Sequence, residues 1–157
     1  MLPLLLLLTS RSLGAQPTRV LLIVGGHDHE TNQFLKLFQD NPEITLQTAE
    51  QPKAQQWFRA EEAARYDVLV LYDMWPDISE SAQADFVARL REGKGLVALH
   101  HSLADYPKWG EFAQIVGGRY HLEKYRDGGV EKPPSTYQHD VDFRVHVVAP
   151  QHPVTRG

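Results

Sequence analysis

Histidines follow two apolar segments of the chain, and they are the residues best suited to chemistry. His100 and His101 come directly after one apolar run, and His27 and His29 follow another run and two glycines. A continuous apolar run beside a glycine predicts an inner strand of a parallel sheet. Open α/β sheets bind ligands at the carboxyl ends of such strands. Because imidazole binds metals and transfers protons near neutral pH, the sequence predicts a site at this edge.

Each histidine pair also has a purely structural interpretation. A loop can bring His27 and His29 to one metal, but Asp28 could equally cap a helix and leave both rings in solvent. In the second pair, one histidine could simply be hydrogen-bonded to the backbone. Because adjacent residues leaving a strand point in opposite directions, we expect only one of that pair to face the cleft, and we choose His100.

Other candidate site residues lie near the predicted cleft. Asp73 and Trp75 follow a third apolar run, which puts them at the mouth of the same cleft. Tryptophan faces stack on sugar rings, so a carbohydrate is a plausible ligand, although Trp75 could equally be a core or rim residue. His121 follows two glycines and is expected to fold back over the cleft.

Composition limits the kinds of protein and of site that the chain could be. The 157 residues are 42% hydrophobic, which suits one domain with a sizeable core. The net charge is −4 and no basic stripe is present, so nucleic acid is a poor candidate partner. The sequence has no cysteine, which excludes disulfides, thiolate metal sites and a cysteine nucleophile.

The amino terminus indicates a location. Leucines dominate the first eight residues, and a polar stretch of small residues follows as far as Ala15. The run is too short to span a bilayer, which needs ~20 apolar residues, so no stable membrane insertion is expected. It is typical of a signal peptide over residues 1–15, which predicts a periplasmic or secreted protein. The alternative is a disordered tail.

Strand and helix patterns alternate from Arg19 onward. Strands are predicted at 20–24, 44–48, 67–72 and from Gly95; helical segments are predicted around 34–38, at 57–65, after a cap at Asp77, and at 109–116. This alternation predicts an α/β fold, a flavodoxin-like three-layer sandwich with a mostly parallel sheet.

The regular alternation of strand and helix patterns ends near the carboxyl terminus. Residues 126–135 hold paired glycines and paired prolines and are predicted to form a surface loop. Residues 137–149 alternate in polarity and are predicted to form a strand. No pattern of a closing helix follows, so we expect the domain to be incomplete at its carboxyl end.

The order of these motifs resembles the ThuA-like (trehalose-utilisation) family of the class I glutamine amidotransferase-like superfamily. The matching pieces are 20–29, 66–70, 93–101, 109–121 and 152–157, so the resemblance covers a domain at 19–157. It implies that His100 and His101 lie near the nucleophile elbow of the amidotransferases. No cysteine stands there, so a cysteine-dependent amidotransferase activity is not implied.

The resemblance implies a role in bacterial sugar catabolism, linked to trehalose or related disaccharides and their 3-keto derivatives. We hypothesise a metal-assisted lyase or hydrolase that uses zinc, manganese, iron or nickel on a small carbohydrate. The assigned residues are the metal ligands His27, His29 and His100, the catalytic His100 and His121, and the substrate-binding Asp73, Trp75 and His101. The alternative is a non-catalytic carbohydrate-binding or interaction module; a flavin or nucleotide site is disfavoured because the first loop lacks a phosphate cradle.

Overall fold

The computed structural model describes residues 16–156, so the predicted signal peptide at 1–15 lies outside the described residues. The chain divides into two compact units, one ending at His121 and one beginning at Leu122. No helix within the described residues is long and apolar enough to cross a membrane.

A parallel sheet forms the centre of the first unit. Its strands, within residues 16–121, are β1 (Thr18–Gly25), β2 (Ile44–Glu50), β3 (Val68–Asp73) and β4 (Gly95–Ala98). The spatial order is β2-β1-β3-β4, and every neighbouring pair is parallel. The inner strands β1 and β3 are aliphatic because layers cover both of their faces. The predicted α/β class with a mostly parallel sheet is confirmed.

Helices connect these strands and cover the sheet. In the described part of the chain the α-helices are α1 (Thr31–Gln39), α2 (Glu80–Arg91) and α3 (Gly110–Val116), and short 3₁₀ helices span Lys53–Phe58, Ala60–Arg65 and His100–Ala104. Alternate residues of β1 serve opposite layers. Leu22 packs with Phe34 on the α1 side, whereas Leu21 and Ile23 join Phe86 on the side of α2.

Two expected helix caps differ from the structure. Helix α2 begins after Ser79, whose Oγ accepts a hydrogen bond from the backbone N–H of Ala82 at 3.2 Å, so the expected cap at Asp77 is wrong. Helix α1 begins after Glu30 and no side chain caps it, so Asp28 does not have the capping role of the structural alternative. In both loops the chain turns into its helix two residues later than the sequence signal suggests.

The second unit departs from the sequence expectation. The predicted surface loop at 126–135 contains most of an antiparallel hairpin of β5 (Tyr125–Asp127) and β6 (Val130–Lys132). Gly128 and Gly129 form its turn with positive φ angles, as a tight hairpin requires. The predicted strand at 137–149 is wrong: these described residues form no strand, and Phe143 is 80% exposed. Alternating polarity is insufficient where no neighbouring strand supplies hydrogen bonds.

Candidate functional site

The loop after β1 lies directly against the loop after β3. Gly25 accepts a hydrogen bond from the backbone N–H of Met74 at 2.8 Å. Gly26 has a φ of 82°, and a Cβ added there would lie 2.0 Å from the carbonyl oxygen of Met74. Only glycine tolerates both the conformation and the contact. The two glycines therefore bring the next residue, His27, to the end of β3.

Backbone carbonyl groups engage both ring nitrogens of His27. Its Nε2 lies 3.0 Å from the carbonyl oxygen of Tyr72, and its Nδ1 lies 3.1 Å from that of Asp28. A carbonyl oxygen only accepts, so a ring nitrogen that bonds to it must donate. His27 can therefore offer a lone pair to a ligand only by giving up one of these contacts.

Four histidines surround the ring of Tyr72, the penultimate residue of β3. Their ring centroids lie between 4.7 and 5.7 Å from it, and we call the group of His27, His29, His100 and His101 the histidine cluster. His27 is the centre of the cluster, with its ring 3.9 Å from His101 and 5.5 Å from His29. The histidines that the sequence places after two different strands thus meet at one edge of the sheet.

Two members of the cluster have unused ring nitrogens. Among the described residues, His29 Nε2 and His101 Nδ1 are buried and have no hydrogen-bond partner. Burial, reinforced by His27, His100 and His29, lowers the pKa of His101 to about 4. His101 is therefore neutral at neutral pH and keeps a lone pair on one ring nitrogen.

His100 and His101 differ in their contacts and in their exposure to solvent. His101 stacks on His27, whereas His100 is exposed and lies 4.2 Å from His101 by ring centroids. Within residues 16–156, no three histidine, aspartate or glutamate side chains form a group that could hold a metal ion. The predicted ligands His27, His29 and His100 are thus neighbours without being arranged as a complete metal centre.

A cleft of about 640 Å³ opens beside the cluster. It is lined by the loop Gly25–His29, by Thr31 and Leu35 at α1, and by Thr48 and Glu50 of β2. Sites for small ligands commonly have volumes of about 300–1,000 Å³. The cleft adjoins the carboxyl end of β1, where the chain switches from one side of the sheet to the other, as expected for ligand sites of this class.

A buried pair of carboxyl groups lies behind the loop after β3. Asp73 is fully buried, not at the cleft mouth, and its Oδ2 accepts a hydrogen bond from Gln51 Nε2 at 2.7 Å. Asp105 Oδ1 accepts from the backbone N–H of Trp75 at 2.6 Å. Burial, and next the charge of Asp73, raise the pKa of Asp105 to about 9, and burial also raises the pKa of Asp73. Asp73 points away from the cluster because it alternates with Tyr72 along β3.

The remaining predicted site residues are Trp75 and His121, and both belong to the first unit. Trp75 is half-buried and packs against the core on the α2 side. His121 is half-buried at the end of this unit. The preceding residue, Tyr120, donates its backbone N–H to the carbonyl oxygen of Leu103 at 2.8 Å. This bond holds the segment that leads to His121 beside the 3₁₀ helix that begins at His100.

Sequence reasoning missed four residues that shape this region. Tyr72 could have been found, since it directly precedes Asp73 at a predicted strand end. Gln51, Asp105 and Tyr106 carry no comparable signal: their partners are distant in sequence, and Gln51 Nε2 contacts both Asp73 Oδ2 and Tyr106 Oη only in the folded chain.

Comparisons with known proteins agree with this picture. No curated protein matches the sequence. A solved structure of a ThuA-like protein from Parabacteroides merdae matches with a TM-score of 0.51 and 24% identity, which shows a shared fold. The match covers 77% of this chain and 48% of that one, so this chain spans about half the length of the matched protein. The family model of ThuA, described as trehalose utilisation, matches residues 19–157. The chain therefore belongs to the ThuA, or trehalose-utilisation, family.

Proposed function

We propose that the histidine cluster binds a divalent metal and that the chain acts on glycosides or their 3-keto derivatives. The observation that carries this proposal is the pair of buried, unpartnered ring nitrogens, His29 Nε2 and His101 Nδ1. Leaving such atoms without a partner costs free energy, so native proteins keep them mostly where they serve a ligand or a water. Their position at the carboxyl edge of a parallel sheet favours a ligand.

The donor atoms suit a nitrogen-rich metal site, but the described histidine rings would have to turn toward a common ion, because they are not arranged as a complete metal centre. His29 and His101 would hold the ion through their unused nitrogens, and His27 would join by releasing one carbonyl contact. Imidazole donors suit zinc, manganese, iron or nickel to different degrees. The bound ion would polarise a ketone oxygen of the sugar.

The protein's own side chains supply binding and proton transfer. His100 is exposed beside His101, so it can take a proton from the carbon next to the ketone and exchange it with water. His121 is the second candidate for this role. The 640 Å³ cleft, which His27 and His29 line, would hold the sugar.

The alternative function is carbohydrate binding without catalysis. The engagement of both His27 nitrogens by carbonyl groups favours it, because that ring is then a structural part of the loop. A protein of this kind would bind the sugar in the cleft and leave it unchanged.

Metal titration of the purified protein tests the proposal. We expect Zn²⁺ or Ni²⁺ to bind with one-to-one stoichiometry in calorimetry, and His29→Ala and His101→Ala each to weaken binding at least tenfold. His146→Ala is the matched control, because His146 is exposed in the second unit and should change nothing. Equal metal affinity in all variants contradicts the proposed site.

A turnover assay separates the two functions. The same protein is incubated with a 3-keto glucoside and with the parent glycoside, with and without metal, and products are followed by chromatography. Release of the aglycone that requires both metal and His100 supports the enzyme. Saturable sugar binding without any product supports the binding module.

A further inference from the structure

The buried carboxyl pair poses a chemical problem that the histidine cluster does not explain. Asp73 and Asp105 are at most 1% exposed. Among the described residues, Asp73 Oδ1 and Asp105 Oδ2 are buried and bond to no other side chain or backbone group. Each carboxyl thus has one oxygen satisfied and one oxygen left over.

The surroundings cannot neutralise two negative charges. The groups that act on the pair are the amide of Gln51, the hydroxyl of Tyr106, the backbone N–H groups of Asp73 and Trp75 and, among bases, His27. Gln51, Tyr106 and the backbone are neutral, and His27 lies in the neighbouring cluster. Two buried like charges without a paired cation are strongly unfavourable, so one carboxyl must hold a proton.

We propose that Asp73 and Asp105 share one proton between Asp73 Oδ1 and Asp105 Oδ2, and that Asp105 is a positioning residue for the loop after β3. The two carboxyl side chains lie within hydrogen-bonding reach of each other, so a shared proton gives both leftover oxygens a partner at once. Asp105 Oδ1 remains free to accept from Trp75, and Asp73 Oδ2 remains free to accept from Gln51, as the structure has them.

The loop after β3 connects the carboxyl pair to the histidine cluster, because hydrogen bonds hold the loop on both of its sides. One side of it is fixed by Asp105, which accepts from Trp75, and by Tyr106, whose N–H donates to the Trp75 carbonyl at 2.9 Å. Tyr106 has a positive φ of 48°, a strained conformation that the surrounding bonds must hold. On the other side of the loop, the Tyr72 carbonyl contacts His27 and the Met74 N–H donates to Gly25. Only this positioning role depends on the proposed function of the cluster; the shared proton does not.

A double-mutant cycle with asparagine tests the shared proton. In Asp105→Asn, the amide oxygen can accept from Trp75 while its NH₂ group donates to Asp73, so the variant mimics the protonated carboxyl. Asp73→Asn works in the same way from the other side. We expect each single variant to change the unfolding equilibrium constant less than about tenfold, and the double variant to raise it roughly 10–100-fold beyond the product of the two. Additive effects in the double variant overturn the proposal.

Histidine ring signals test the positioning role. In ¹H–¹⁵N spectra we expect Asp105→Ala to shift the ring signals of His27 and His101 and Asp105→Asn to restore them. Phe86→Leu, a core variant on α2, is the control for general loss of stability. Unmoved signals in Asp105→Ala, or equal shifts in Phe86→Leu, contradict the positioning role. The asparagine cycle still decides the shared proton if the alanine variant fails to fold, and neither experiment requires metal binding.

Discussion

The imidazole rings of His27 and His101 stack 3.9 Å apart with 21° between their planes, although β3 lies between the strands that they follow. The stack forms over Tyr72 at the end of β3, whose ring meets both at steep angles. Ring packing and the proposed metal binding by His101 would therefore be separable, because packing needs a flat ring and metal binding needs a nitrogen.

Replacing His101 with phenylalanine should separate them. His101→Phe keeps a ring against His27 but removes the unpartnered Nδ1, so stability should change by less than about 1.5 kcal/mol. Zn²⁺ affinity should fall at least tenfold in calorimetry. His101→Ala, which removes ring and nitrogen together, should lose both stability and affinity. Wild-type metal affinity in the phenylalanine variant would exclude His101 as a ligand.

Gly26 should be the least replaceable glycine of the loop after β1. In Gly26→Ala the new Cβ meets the Met74 carbonyl at 2.0 Å and the residue keeps a φ of 82°, so we expect a loss of about 3 kcal/mol or more in urea unfolding. Gly93→Ala is the matched control: its φ is 92°, but nothing lies within 4 Å of a Cβ there. It should cost about 1 kcal/mol. Equal costs would show that strain alone, and not contact with Met74, fixes this loop.

Stability should fall as the pH rises through the neutral range because of Asp105. The pKa of Asp105 is about 9 in the folded protein, whereas the unfolded carboxyl titrates near 4, so the folded state keeps a proton that the unfolded state has lost. This stabilisation is complete below about pH 4 and is lost as the pH rises toward 9, with a slope of up to about 1.4 kcal/mol per pH unit.

Urea unfolding at pH 5, 7 and 9 measures this slope. Asp105→Asn has no proton to lose there and should show a flatter profile over the same range. A variant with the wild-type slope would mean that another group causes the pH dependence.

The Arg19–Asp67 pair affects stability in a separate pH range. Hydrogen bonds from Arg19 lower the pKa of Asp67 to about 2, so the contribution of this pair to stability is lost only in acid, below pH 4.

The sequence predicts the sheet well because a strand that is buried on both faces has a continuous apolar run in its own sequence. The apolar runs before Gly25, before Asp73 and after Gly95 correspond to β1, β3 and β4, and their alternation with helical stripes is enough for the α/β class. The hairpin at Tyr125–Lys132 escapes prediction because its short strands are largely polar and exposed. The alternating polarity at 137–149 is misleading because such a pattern does not show whether a neighbouring strand is present to form hydrogen bonds.

The candidate site is predictable only where strand ends are visible. His27, His29, His100 and His101 follow apolar runs, so their meeting at one edge follows from parallel topology. Which ring stacks on which depends on the turn at each strand end, and sequence cannot choose between His100 and His101. The partnership of Asp73 with Asp105 is invisible because it depends on how the segment after β4 returns to the loop after β3.

The start of α2 offers a direct test of the capping difference. Ser79 Oγ accepts from the Ala82 N–H, so Ser79→Ala removes a partner from the first turn and should cost about 1 kcal/mol of unfolding free energy. Asp77→Ala removes only an exposed ion pair with Lys108 at 3.4 Å and should cost less than half of that. Thermal unfolding of both variants at low salt makes the comparison. A larger loss in Asp77→Ala than in Ser79→Ala would return the cap to Asp77, as the sequence spacing alone suggests.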